Sequence, residues 1–223
     1  MDVITNNTAV MDSTKKKSPY SFKVISNLIK NGLFLQGVRH AFAKIGIDIM
    51  PYYWVQEEVL HTEKPKLRTD EKFIFKRLEK QDLNVVIAEA DSISENKIHQ
   101  SFADGQECVG LVHNGQIAAY MFIELNDFEI KKRVFKLKPD EAYLLNMFTL
   151  TSFRGRNLAP YLRYACYRYL EDRNITTKYS VSNYFNKSAI RFKEKLNSKP
   201  RKLYVHIDLF KSLRWDFTLK TFS

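Results

Sequence analysis

Residues 146–160 read Asn-Met-Phe-Thr-Leu-Thr-Ser-Phe-Arg-Gly-Arg-Asn-Leu-Ala-Pro, and they bring together the groups needed to hold an anion. An apolar strand runs into a short polar turn and then into Arg154-Gly155-Arg156-Asn157-Leu158-Ala159. A long helical pattern begins near Pro160. A helix start leaves amide donors unpaired, and its dipole favours negative charge there. One such interaction is worth only about 0.3–1 kcal/mol at an exposed site, so several amides must act together. Arg154 and Arg156 are candidates for direct contacts with phosphate, against the plainer reading of solvated helix-start charges. Asn157 suits a bend of this kind, because asparagine tolerates a left-handed backbone better than most residues do.

The rest of the chain must position this segment. Phe73–Leu78 reads as a strand, and Asp82 and Ser94 read as caps of two helices ending near Ala90 and Ala103. Glu107–His113 and Gln116–Glu124 flank Asn114-Gly115, a type I′ hairpin signal. A strand near Arg133–Leu137 precedes the strand Glu141–Leu150, which feeds the anion loop. Its helix runs from about Asn157 to Asp172, with Leu158, Leu162, Ala165, Cys166 and Leu170 as the apolar stripe. A short strand at Lys178–Val181, a helix at Asn186–Leu196 and strands at Leu203–Leu209 and Arg214–Leu219 complete a mixed α/β sandwich.

Upstream, residues 1–19 are polar and end in three lysines, which suits a disordered tail. Residues 20–70 form a helical extension and linker. One amphipathic pattern carries Phe22, Ile25, Leu28 and Ile29, and a second carries Leu35, Val38, Phe42 and Ile45. Pro51–Leu60 is an accessory strand, and a charged linker holds Pro65. The main domain is expected at 71–223. The extension either packs on that domain or offers a basic amphipathic surface to a membrane or an acidic partner.

Composition narrows the function classes. The 223 residues are 44% hydrophobic, enough for a real core. Cys108 and Cys166 have no metal-ligand spacing, and no metal is expected. With no signal-like or membrane-length apolar run, the chain is expected to be cytoplasmic. A net charge of +11 suits polyanionic ligands. The basic residues are scattered and no reader motif is present, so nucleic acid is not an expected partner.

The anion segment closely resembles the pyrophosphate loop of the GCN5-related N-acetyltransferases, Arg/Gln-x-x-Gly-x-Gly/Ala. Arg154 and Ala159 match, and Asn157 replaces the middle Gly. Asn186-Lys-Ser-Ala-Ile-Arg-Phe-Lys-Glu-Lys-Leu196 resembles that family's Asn-x-x-Ala-x-x-Leu-Tyr helix, with Lys193 in place of the Tyr. The order of elements also matches over the main domain. The resemblance implies a GNAT-like acyl-CoA N-acyltransferase fold with an N-terminal helical extension. It implies acetyl-CoA as co-substrate and a small-molecule amine as acceptor. Phe148, Thr149 and Leu150 would border the pantetheine arm, with the Phe148 amide as oxyanion donor. Arg154, Gly155, Arg156, Asn157, Leu158 and Ala159 would hold the pyrophosphate, and Asn186 belongs to the second matching motif.

The catalytic groups stay open at this stage. Glu124 is a candidate base, with Glu141 and His113 behind it, and Asn146 could orient a water or the amine. Tyr184 and Lys193 compete as proton donor to the thiolate. Tyr184 is favoured, since a lysine beside CoA phosphates would be held protonated. Pro51-Tyr-Tyr at the join resembles members found with bacterial surface-polysaccharide genes, which points to an amino-sugar or nucleotide-sugar acceptor. Two other functions remain: a long-chain N-acyltransferase, or a non-catalytic basic module binding nucleic acid or anionic membrane.

Overall fold

A computed structural model describes residues 34–89, 95–131 and 133–222. The tail, the first amphipathic pattern and the Ser94 cap lie outside these residues. The second pattern forms α1 (Phe34–Lys44) and leads into β1 (Ile47–Glu57). The order continues β2 (Ile74–Leu78), a 3-10 turn, α2 (Leu83–Glu89), α3 (Glu95–Ala103), β3 (Glu107–His113) and β4 (Gln116–Glu124). A small hairpin, β5 (Phe128–Ile130) and β6 (Arg133–Phe135), precedes β7 (Glu141–Thr149). Then come a 3-10 turn, α4 (Leu158–Glu171), β8 (Thr177–Asn183), α5 (Lys187–Glu194), β9 (Lys199–Leu209) and β10 (Leu213–Thr221).

Eight strands form one sheet in the order β10-β9-β1-β8-β7-β4-β3-β2. Every neighbouring pair is antiparallel except β7 and β8. The β3–β4 turn has Asn114 at φ 48° and Gly115 at φ 80°, as a type I′ turn requires. Gly110 allows β3 to lie close to its surroundings: a Cβ there would sit 2.8 Å from the Ala119 carbonyl and 2.5 Å from Leu78.

Alternating side chains give the sheet two buried faces. Phe102 of α3 meets Phe122 edge-on at 5.4 Å on one face. On the other, Tyr169 of α4 packs on Phe75, while Leu158, Leu162, Cys166 and Leu170 are fully buried. The β5–β6 hairpin covers an aromatic stack in which Trp54 lies 4.4 Å from Phe135 and 4.9 Å from Tyr179.

The strand that sequence assigns to the extension is a central one. β1 pairs with β8 through Tyr52–Glu57 and with β9 through Ile47–Gln56. Pro51 stands one residue beyond the β8 ladder, where its carbonyl accepts the Tyr184 amide at 3.0 Å but its ring nitrogen has no hydrogen to return the bond. The following linker is also tied down. Thr62 donates to the Leu196 carbonyl, the Arg68 amide donates to the Arg156 carbonyl, and Arg156 is paired with Glu71 at 3.1 Å.

Candidate active site

The site begins with a division in the sheet. β7 and β8 pair only over Glu141–Tyr143 and Thr177–Tyr179. Beyond that point their carboxyl ends have no ladder between them, so Leu144–Thr149 and Ser180–Asn183 part from one another. Crevices at the carboxyl ends of parallel strands are where open α/β sheets bind ligands. A bulge shapes one wall. Phe122 faces Leu145 and Tyr120 faces Phe148, so Asn146 and Met147 together oppose Met121. Asn146 takes the left-handed conformation at φ 49°, and its side chain is exposed rather than interior to the strand. The register kink re-aims the backbone of Met147 and Phe148.

At the mouth, Gly155 (φ 86°) and Asn157 (φ 64°) turn the chain into α4. Asn157 is the N-cap residue, yet its side chain makes no capping bond. It donates instead to the Lys66 carbonyl at 2.7 Å, strapping the linker to the loop. The amides of Gly155, Arg156, Asn157, Leu158 and Ala159 have no acceptor among the described residues. All of these residues but Arg156 line a cavity of about 430 Å³, together with Phe148, Thr149 and Arg154, among others. A Cβ built on Gly155 meets nothing within 4 Å, so that glycine faces open space.

The remaining loop residues divide by their partners. Arg154 lies over the Phe148 ring and donates to the Thr149 carbonyl at 3.2 Å, beside the cavity. Arg156 is held by Glu71 and lies over Phe153, so its charge is already partnered. Leu150 is buried, its amide bonded to the Ala118 carbonyl. Arg68 lines the cavity and carries a further positive charge. Sequence reasoning missed it, because one arginine in a charged linker has no pattern; the Arg68–Arg156 and Lys66–Asn157 bonds bring it there.

Asn186 caps α5, accepting the Ala189 amide at 3.0 Å and the Ser188 hydroxyl at 2.8 Å. Glu124 is buried at the far end of β4, where it accepts the Asn126 amide at 2.8 Å. It stands four strand positions from Tyr120, the partner of Phe148, or roughly 13 Å at ordinary strand rise. Tyr184 lies just past β8, 43% exposed and tilted against the Tyr53 ring at 5.4 Å.

Lys193 is inside. It projects from α5 onto β8, donating to Ser180 Oγ at 2.6 Å and to the Val181 carbonyl at 2.9 Å. Both partners lie just past the point where β7 and β8 part. Burial, partly offset by Glu57 and reinforced by Arg163, pushes the ammonium down to about 8. The thiols of Cys108 and Cys166 are pushed up by burial, Cys166 to about 12, which makes them poor acyl carriers.

A mixed sheet parted between two parallel strands, with an amide-rich loop and a helix start at the gap, is the architecture of an N-acetyltransferase. The chain belongs to the Acetyltransferase (GNAT) family, whose model matches residues 65–197. Among solved structures it is similar to a GNAT-family acetyltransferase from Colwellia psychrerythraea, with a TM-score of 0.53 and 13% identity over 76% of this chain and 60% of that one. A GCN5-related glucosamine N-acetyltransferase region of a fungal multi-domain β-N-acetylglucosaminidase gives a TM-score of 0.53 and 15% identity, over 78% of this chain and 22% of that one. A tandem GNAT protein of the clavulanic acid biosynthesis pathway gives 0.51 and 14%, over 82% and 59%. This chain spans less than two thirds of the length of each. At these identities the likeness carries the fold alone. Among curated proteins there is no match.

Proposed function

We propose that this chain transfers the acetyl group of acetyl-CoA to a primary amine of a small molecule. The observation that carries this reading is the cavity where β7 meets α4. The amides of Gly155, Asn157, Leu158 and Ala159, unpartnered among the described residues, suit a pyrophosphate, as do a left-handed Asn157 and a Gly155 facing open space. Arg154 and Arg68 add charge from the rim. The free edge of β7 beyond Tyr143 suits the amide groups of a pantetheine arm. Acetyl-CoA is consumed, so it is a substrate, and it supplies an activated thioester. The Phe148 amide, just past the bulge, is our choice of oxyanion donor. Asn146, exposed at the bulge, is our choice to orient the incoming amine.

For the proton that the departing thiolate takes up, we assign Lys193 rather than Tyr184. The objection to a lysine was that phosphate charge would hold it protonated. Lys193 instead reaches from α5 to β8, with an ammonium made weaker by burial. A donor poised near the working pH is what general acid catalysis needs. Tyr184 is a surface ring, 43% exposed and set against Tyr53. Glu124 is too far along β4 to act on an amine at Phe148, so the acceptor loses its proton to solvent in the open cleft.

The acceptors to screen first are amino sugars and nucleotide-linked amino sugars, followed by amino acids and polyamines. Acceptor-dependent release of free CoA thiol tests the reading. We expect turnover with at least one amine class and little with the corresponding alcohols. Release of thiol at one rate, whatever amine is added, would overturn it.

A further inference from the structure

Beneath Lys193 lies a buried ionic cluster that spans three elements and that the family motifs do not include. Glu57, at the end of β1 and upstream of the family-matched segment, has a fully buried carboxylate. Its Oε2 accepts the Tyr167 hydroxyl at 2.5 Å and lies 3.5 Å from Arg163 Nε. Its Oε1 lies 3.8 Å from Lys193 Nζ. One carboxylate thus faces two buried cations. The cluster is not saturated, since Glu57 Oε1 and the Nε and Nη1 atoms of Arg163 have no hydrogen-bond partner among the described residues. Buried ion clusters seldom add stability over apolar packing, so one with unused donors calls for another reason.

We propose that Glu57 and Arg163 are positioning residues for the proton donor, acting in opposite senses on Lys193. This rests on the assignment of Lys193 as the acid. Glu57 keeps the Lys193 amine charged inside the protein, so that it holds a proton to give. Arg163 opposes that charge, so that the proton can be given up. As the C–N bond to the acceptor forms and the C–S bond breaks, the electron pair leaves with sulfur. Sulfur takes the proton from Nζ, which becomes a neutral amine.

A pocket of about 130 Å³ opens beside Lys193 between α5, β1 and β8, and Ser182 and Ser198 line it with buried hydroxyls that lack partners among the described residues. It gives solvent a route to reprotonate Nζ. The other titratable groups around the cluster are Tyr53 on β1, Tyr143 on β7, Lys178 on β8, Cys166 and Tyr167 on α4, and Glu194 on α5 itself. Lys178 is occupied by Glu58 and Glu171, and burial keeps Tyr143, Cys166 and Tyr167 protonated. Tyr53 and Glu194 border the pocket rather than the cluster, so Glu57 and Arg163 are the charges that govern Lys193.

The test uses the full chain in two ways. In the pH profile of kcat, Glu57→Gln should move the alkaline limb to lower pH and Arg163→Met should move it to higher pH, each by about one unit or more. In the free protein, lysines labelled with 13C at Cε should show the same two opposite displacements for Lys193, its signal identified by its loss in Lys193→Met. A structural role alone would lower the melting temperature without separating the two variants. An unmoved Lys193 titration, or one moved the same way by both, would overturn the proposal. The labelled titration needs no cofactor, so it stands even if CoA does not bind. If Glu57→Gln does not fold, Arg163→Met carries the same test.

Discussion

At Asn157 the backbone is left-handed while the side chain holds the Lys66 carbonyl, so one residue both shapes the loop and anchors the linker. Asn157→Gly should retain CoA affinity, because glycine accepts the same φ. Asn157→Leu should lower the denaturation midpoint, since a left-handed backbone costs an ordinary residue roughly 1–2 kcal/mol and the Lys66 bond is lost as well. Equal stability in both variants would show that the conformation is not what this position selects. Lys193 gives a second residue-scale expectation. Its folded pKa, about 8, lies below the ordinary lysine value of 10.5, so between those values the unfolded chain binds more protons. Stability from this group therefore rises as pH climbs from 8 toward 10. Urea midpoints should show wild type gaining on Lys193→Met over that window; a constant difference would mean the amine is not perturbed.

The elements show why some of this could be read in advance and some could not. Asn114-Gly115 specified its hairpin because the turn chemistry is local. The turn into α4 was equally legible, since Gly155, Asn157 and the helix start act through neighbouring backbone. The bulge at Asn146 was not, because a bulge is a property of register between β7 and β4. Nor was the place of β1. Its residues read as a strand, but nothing in Pro51–Leu60 announces that it lies between β8 and β9, or that Glu57 ends beneath Lys193. The burial of Lys193 against Ser180 and Val181 was likewise invisible in the spacing. Close strand contact gives one more test. Gly110→Ala would drive a Cβ into Leu78 and the Ala119 carbonyl and should destabilise by about 1–3 kcal/mol. A chemical denaturation curve superimposed on wild type would contradict the tight packing there.

Across the whole molecule, positive charge and a parted sheet serve one end. The net charge of +11 favours a polyanionic substrate, while the amides that would grip it are fixed by α4 and by the linker bonds to Lys66 and Arg156. No helix among the described residues is long and apolar enough to cross a membrane. Titration calorimetry of CoA into wild type and Gly155→Val tests the central claim most directly. Gly155 lies at φ 86° with open space beyond its Cα, so valine strains the backbone and fills the place of the ligand. We expect wild type to bind CoA, with affinity falling as salt screens the charges. Gly155→Val, still folded by circular dichroism, should bind at least tenfold more weakly. Absence of binding to wild type, or equal affinity in the two proteins, would contradict the account.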